Sequence, residues 1–405
     1  MVVRKIVEKV FYLGLDDDLT EFFEGIWPLP WGITYNTYLI LDEKITLIES
    51  GVRKELTMQY LSELESVVSL SDIDYIIVNH SEPDHSGSLP MLFRLTKSKI
   101  IASKFGANLI KSFYNIDGEN IISVGSGDLI RLGEMELRFI PIPGVHWPDS
   151  MVTYEVKNKI LFSSDVFGTF GSLGGAVFDD EIDKSIYLEE AKRYFVNIIG
   201  KFVANAARAL ESLSNFDVKI IAPAHGPVWR TDLDAIVSLY KDLSKRVARN
   251  KVVILYGSMY GFTRQLAYYI ANRLVEEQID VEIYDVTYTN PSFVLSAIWD
   301  AKVIVFGCPT YDNDAFPPLL TQVMYFRSKM IKEKKYAIFG SYGWSGKGYR
   351  GIKNILDELK WQLIEPIIEF KGAPTTEAKE KADELVDKII ASIQKETKGI
   401  HIDER

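Results

Sequence analysis

Up to about residue 245 the apolar positions fall in short β-rich runs divided by polar turns. Residues 34–40 and 45–49 predict a hairpin, because two β-branched and aromatic runs flank the charged turn Asp42-Glu43-Lys44. A helix is predicted over 54–68, then a buried strand at 75–78 whose end delivers His80 into a loop. Further strands are predicted at 137–141, 151–156, 160–162 and 218–221. Loops at strand ends can meet at one point even when they are far apart in sequence. Past the charge-rich seam Ser244-Lys-Arg-Val-Ala-Arg-Asn-Lys251 the texture changes. Continuous apolar runs at 252–256, 281–284, 303–306 and 336–339 alternate with helical patterns, as parallel strands covered on both faces do. A last helix, about 376–395, sets Ala382, Leu385, Val386, Ile389, Ile390 and Ile393 on one face, a packing stripe. The expected organisation is two domains, 1–248 and 249–405, since 405 residues exceed what one core usually supports.

Composition narrows the chemistry. A net charge of -10 argues against a nucleic-acid partner and an anionic lipid surface, both of which are bound mainly through Lys and Arg. Cys308, the single cysteine, excludes an internal disulfide framework, a cysteine-rich zinc site and rubredoxin-type iron within this chain. Any metal must therefore use nitrogen and oxygen ligands. The N-terminal apolar run is broken by charges, and no stretch reaches about 18 uninterrupted apolar residues, so a cytoplasmic, non-membrane protein is expected.

Such ligands are abundant. His80-x-Glu82-x-Asp84-His85 is followed by His146, Asp165 and His225, so four of the five histidines join three carboxylates near predicted strand ends. The fifth, His401, lies in a polar tail and is incidental. On an extended loop the alternation His80, Glu82, Asp84 points similar side chains inward, and His85 can reach a second ion. Two metals about 3.5–4 Å apart commonly share a carboxylate, for which Asp165 is the best candidate.

The second half carries a different signal. Gly257-Ser-Met-Tyr-Gly-Phe-Thr263 follows an apolar strand and opens a helix, where backbone N–H groups and hydroxyls cradle an anion. Neither a Gly-Lys-Ser/Thr ending nor Gly-x-Gly-x-x-Gly is present, so Ser258, Met259, Tyr260, Gly261, Phe262 and Thr263 suit a monophosphate held by neutral donors. Two later strand ends bring Pro309, Thr310, Tyr311, Asp312 and Asn313, and then Ser341, Tyr342, Gly343, Trp344, Ser345 and Gly346, to the edge where open α/β sheets bind ligands. Tyr311 and Trp344 offer planar apolar surfaces for an aromatic ring system.

The His-x-x-x-Asp-His frame with distant His, Asp and His resembles the metallo-β-lactamase superfamily, an αββα sandwich that is usually a zinc hydrolase. Glu82 stands where that superfamily has its middle histidine, which hardens the site and moves preference from zinc toward iron or manganese. The seven positions, with Gly144-Val-His-Trp-Pro-Asp-Ser-Met151, Ser163-Ser-Asp-Val-Phe-Gly168 and Ala222-Pro-Ala-His-Gly-Pro-Val-Trp-Arg230, resemble flavodiiron proteins (A-type flavoproteins). About 251–395 is similar to a flavodoxin domain carrying FMN. The resemblance implies an α+β αββα metallo-β-lactamase-like sandwich followed by an α/β flavodoxin-like doubly wound parallel sheet. It also implies that His80, Glu82 and His146 hold one iron, that Asp84, His85 and His225 surround the other, and that Asp165 bridges them. Thr169-Phe170 stands where the family often has an outer histidine. The implied activity is reduction of O2 to water and/or NO to nitrous oxide. FMN would relay electrons from an external donor such as a rubredoxin or a reduced deazaflavin, and a head-to-tail homodimer or dimer of dimers would bring FMN beside the partner's irons. Two other readings stand beside it: a dinuclear zinc hydrolase with a regulatory flavin domain, against which Glu82 argues, and an electron-carrier or gas-sensing module.

Overall fold

A computed structural model of the chain describes residues 2–49 and 52–398; His401 lies outside them. The chain divides into two compact units, Met1–Lys245 and Arg246–Arg405, and the division falls inside the charged seam.

In the first unit Val2–Val7, Val10–Asp17, Ile33–Leu41, Ile45–Ile48, Ile73–Val78, Lys99–Ser103 and Ile121–Val124 form one sheet in that spatial order. The Ile33–Leu41/Ile45–Ile48 pair is antiparallel with Leu41 opposite Ile45, the hairpin the charged turn predicts. A second sheet runs Leu129–Arg131, Glu136–Pro141, Met151–Glu155, Ile160–Ser164 and Ile220–Pro223. Strand alternation explains why the first sheet is buried on both sides. Tyr12, Tyr38, Ile40, Ile48, Ile77 and Ile101 pack against Leu137, Phe139, Met151, Ile160 and Phe162 of the second sheet. Leu39, Leu47, Ile76 and Ile100, in the opposite phase, are fully buried as well. On that side Tyr60, from the helix Thr57–Glu65, hydrogen-bonds the Thr37 hydroxyl at 3.2 Å. Beside the second sheet the helices Val203–Leu213 and Leu233–Lys245 bury Leu210, Leu213, Ile236 and Tyr240. The result is an αββα sandwich.

Three local expectations shift. Residues 2–17 supply two strands that the charge-interrupted N-terminal pattern does not announce. The predicted helix at 54–68 is a 3₁₀ turn, Lys54–Leu56, leading into Thr57–Glu65. The strand expected at 218–221 lies at Ile220–Pro223, two residues nearer His225.

In the second unit Arg249–Tyr256, Asp280–Asp285, Ala301–Gly307 and Lys335–Tyr342 pair in parallel, in the spatial order second, first, third, fourth. Ile368–Lys371 adds a further parallel partner. The terminal helix Thr376–Lys398 buries Ala382, Leu385, Val386, Ile389 and Ile393 with Leu266, Ile270 and Leu274 of the helix Phe262–Glu276, as its stripe requires. No helix of the described residues is long and apolar enough to cross a membrane.

Candidate metal centre and flavin loops

Four strand ends of the first unit carry the site. Ile73–Val78 delivers His80, Glu136–Pro141 leads to His146, Ile160–Ser164 ends one residue before Asp165, and Ile220–Pro223 ends two before His225. Glu82, Asp84 and His85 sit differently from the extended loop expected of them. Pro83 starts a single helical turn, Pro83–Ser86, in which the His85 amide bonds back to the Glu82 carbonyl at 2.9 Å. Proline's fixed φ suits the first helical position, so the turn aims Asp84 and His85 one way and leaves Glu82 on the other side.

The seven side chains form two groups that meet at Asp165. Its Oδ2 lies 3.7 Å from both His80 Nε2 and His146 Nε2, and Glu82 Oε2 lies 3.1 and 3.0 Å from the same two nitrogens. Its Oδ1 lies 3.1 Å from His85 Nε2 and 3.7 Å from His225 Nε2, with Asp84 Oδ2 at 3.6 and 3.4 Å from those nitrogens. Donors about 2.0–2.2 Å from one ion stand roughly 3.0–3.6 Å apart, so these separations are those of two coordination sets sharing one carboxylate. Two trios able to hold an ion follow directly: His80, His146 and Asp165, and Asp84, His85 and His225.

Polar groups on the far side of three of the four rings favour one nitrogen facing in. His225 Nδ1 donates to the Thr34 carbonyl at 2.7 Å, which leaves Nε2 as a lone-pair donor. His80 Nδ1 faces Asp149, whose Oδ2 also accepts from the Ser81 amide at 2.8 Å and the Ser81 hydroxyl at 2.5 Å. His85 Nδ1 lies 3.6 Å from Glu49 Oε2, and the other Glu49 oxygen accepts from Asn79 at 2.9 Å. Tyr194 donates to Asp165 Oδ1 at 2.7 Å, and its ring, with Phe23, Phe170 and Tyr35, walls off His225.

Charge tests whether metals fit. Five acidic residues, Glu49, Glu82, Asp84, Asp149 and Asp165, surround four imidazoles, and Glu49, Asp149 and Asp165 are at most 2% exposed. Burial opposes charging on both sides, but the opposite charges win. His146 and His80 hold Glu82 down to about 2, His85 holds Asp165 well below the usual carboxylate range, and Asp149 and Glu82 push His80 up to about 10. The cluster thus draws positive charge into a dry space, which two divalent ions would supply while displacing the imidazole protons. Among the described residues, both Asp84 oxygens, Asp165 Oδ2 and His225 Nε2 are buried with no hydrogen-bond partner. Unsatisfied buried acceptors that converge on one point suit metal ligation. The outer residues Asp149, Glu49, Thr34 and Tyr194 were not anticipated. Asp149 alone had a sequence signal, the His146-Trp-Pro-Asp149 string.

In the second unit the three predicted loops adjoin at one end of the sheet. Ser258–Thr263 leave Arg249–Tyr256 and enter the helix Phe262–Glu276 through Gly261, whose φ of +87° glycine adopts freely. Ser258 Oγ accepts from the Gly261 amide at 3.1 Å, and Thr263 Oγ1 lies 2.8 Å from Ser341 Oγ. After Cys308 and Pro309, Thr310–Tyr311 and Asp314–Ala315 form a small hairpin with Asp312 and Asn313 at its tip. Asn313 accepts from the Ser345 hydroxyl, and Thr310 Oγ1 from the Gly348 amide at 3.1 Å. Ser341 and Tyr342, expected in the third loop, belong instead to the strand Lys335–Tyr342, because Ile368–Lys371 pairs with that end and lengthens it. Gly343–Gly346 make the loop itself. Tyr260 and Trp344 are more than four-fifths exposed, and Tyr311 and Met259 about two-fifths. An open apolar rim above a hydroxyl-lined cradle is what a planar, phosphate-bearing cofactor needs. Glu369, another residue not anticipated, accepts from the Lys347 amide at 2.5 Å beside Gly346.

Comparison with known proteins agrees with this architecture. Residues 33–226 match the ODP family of beta lactamases, and residues 254–385 match the flavodoxin family. A nitric oxide reductase of Moorella thermoacetica is 30% identical over 396 residues, 96% of this chain and 98% of that one. The structure of rubredoxin oxygen:oxidoreductase from the anaerobe Desulfovibrio gigas superposes with a TM-score of 0.92 at 28% identity, covering 98% of this chain and 99% of the other. The flavodiiron protein of Giardia intestinalis gives 0.92 at 29% identity, with 98% of each chain covered. Both halves, their order and nearly the full length are shared, and the chain belongs to the flavodiiron proteins.

Proposed function

We propose that this chain is a flavodiiron oxidoreductase that reduces dioxygen to water, nitric oxide to nitrous oxide, or both, using two irons held by the first unit and FMN held by the second. One observation carries the reading: Asp165 presents one oxygen to His80 and His146 and the other to His85 and His225, with Glu82 in place of a further imidazole. A carboxylate at that position makes an oxygen-rich set, which favours iron over zinc. The names of the similar proteins, a nitric oxide reductase and a rubredoxin oxygen:oxidoreductase, support the substrates and an external one-electron donor such as rubredoxin; a reduced deazaflavin would instead pass two electrons to FMN as a hydride.

When bound, the iron pair and the flavin supply the electrons. The chain supplies position and shielding. His80, Glu82 and His146 would hold one ion and Asp84, His85 and His225 the other, with an Asp165 oxygen available to each. Asp149 and the Thr34 carbonyl keep His80 and His225 turned inward. Burial, and then the Asp165 charge, push the Tyr194 hydroxyl well above its ordinary range, so it keeps its proton and remains a donor to Asp165 Oδ1. Phe23, Phe170 and Tyr35 exclude water on the His225 side. In the second unit Ser258, Gly261, Thr263 and Ser341 would hold the phosphate, and Tyr260, Tyr311 and Trp344, with Met259, Phe262, Pro309, Asp312, Asn313, Tyr342, Gly343, Ser345 and Gly346, would frame the ring.

Stopped-flow mixing of the fully reduced, iron- and FMN-loaded protein with O2 or NO tests this directly. Flavin and iron signals should reoxidise at least about tenfold faster than free FMN with one of the two gases. Reoxidation no faster than free FMN, or two zincs and no iron after purification, would overturn it. We also propose a head-to-tail homodimer, in which the flavin loops of one copy serve the metal centre of the other. Light scattering of the loaded protein should give twice the 46.0 kDa chain mass or a multiple of that dimer. An active monomer would end this electron path.

A further inference from the structure

The short hairpin Phe22–Phe23/Trp27–Pro28 leans on the metal centre. Phe23 pairs with Trp27, is buried, and sets its ring 5.7 Å from that of His225. At the tip, Glu24 has a φ of +50° and Gly25 one of +73°. Gly25 suits that conformation, but Glu24 does not, since a β-carbon disfavours it. Its carboxylate is held nonetheless, because Trp27 Nε1 donates to Glu24 Oε2 at 2.9 Å. That placement brings a Glu24 oxygen within 4.8 Å of donor atoms of both Glu82 and His146. Two donors on opposite sides of one ion stand about 4.2 Å apart, so Glu24 is a small side-chain adjustment from sharing an ion with them. Glu24 also lines a cavity of about 410 Å³ that opens onto Glu82 and Asp84. A second carboxylate beside Glu82 in this acidic cluster is repelled unless a cation stands between them.

We propose that Glu24 is an auxiliary, displaceable ligand that closes the outer face of the ion held by His80, Glu82 and His146, and gives way when a small molecule enters from the cavity. The proposal rests on the diiron reading above. Trp27 is the positioning residue: its indole N–H bonds Glu24 Oε2 and holds the carboxylate on the side of Glu82 and His146.

The test uses the full-length protein loaded anaerobically with Fe(II), in wild type, Glu24→Ala, Glu24→Gln and Glu55→Ala. Gln keeps an acceptor for Trp27, and so the hairpin, but lacks the charge needed for ligation. Glu55 lines the same cavity, and its removal controls for charge alone. Two readouts apply: the rate at which a chelator extracts the first iron, and the azide concentration that half-saturates the charge-transfer band of the oxidised protein. Both Glu24 variants should lose the first iron about tenfold faster and bind azide severalfold more tightly than wild type and Glu55→Ala. Glu24→Gln matching wild type in either readout, or Glu55→Ala matching the Glu24 variants, would overturn the proposal. Wild-type protein that takes up fewer than two irons would instead fault the diiron reading.

Discussion

Asp165→Ala is expected to release both irons together, leaving well under one per chain, and to lower O2 or NO turnover by more than about 100-fold. Losing an outer partner of a metal ligand typically costs about 10–100-fold, and Asp165 would serve both proposed ions directly. Each of its oxygens faces a different histidine pair, so neither coordination set is whole without it. The alanine also leaves the Tyr194 hydroxyl with no acceptor at that position and removes a charge that His85 faces at 3.1 Å. Asp165→Asn keeps the shape and one carbonyl oxygen, so it should retain more iron than the alanine but less than wild type. Elemental analysis normalised to bound FMN gives the answer: the flavin counts chains whose second unit is folded, and a cooperative thermal transition of the first unit checks the other half. Two irons retained per FMN in Asp165→Ala would refute the bridging role.

The second large effect is expected at Gly340→Ala. A β-carbon there would sit 1.9 Å from the Cys308 carbonyl oxygen, a backbone atom that cannot swing aside. Either Lys335–Tyr342 or the segment after Ala301–Gly307 must then move, and these carry Ser341 and Pro309–Asn313. Overpacking of this kind costs about 1–3 kcal/mol, and about 1.4 kcal/mol is tenfold in binding, so FMN affinity should fall about tenfold or more. Gly343→Ala is the control, since a β-carbon there meets nothing within 4 Å. Fluorescence titration of flavin-stripped protein with FMN measures both. Equal affinity in Gly340→Ala and wild type would mean that the loop geometry does not set flavin binding. Iron content should be unchanged in either variant, because the metal centre is built wholly within Met1–Lys245.

Much of this molecule is legible in its sequence. The apolar runs at 252–256, 303–306 and 336–339 fall in parallel strands because a strand covered on both faces must be apolar throughout. The terminal stripe at 382, 385, 386, 389 and 393 is buried because its spacing leaves one face for the core. Residue type was equally informative at the metal centre, where imidazole and carboxylate side chains at strand ends have few other uses. Elsewhere the pattern was silent. Val2–Val7 mixes exposed and half-buried positions at a sheet edge, so its sequence lacks a clean alternation. The turn Pro83–Ser86 is too short for any periodicity to appear.

Residue chemistry and local spacing were enough for the two-part architecture, for the nitrogen and oxygen character of the candidate metal ligands and for the lysine-free loop proposed to hold a phosphate. It took folding to divide the Asp165 oxygens between two histidine pairs, to set Thr34, Glu49, Asp149 and Tyr194 behind the candidate ligands, and to bring Glu24 within 4.8 Å of Glu82 and His146. Those are contacts between strand ends and loops up to 191 residues apart in the chain, set by how two sheets pack, and spacing along a chain carries no measure of such distances.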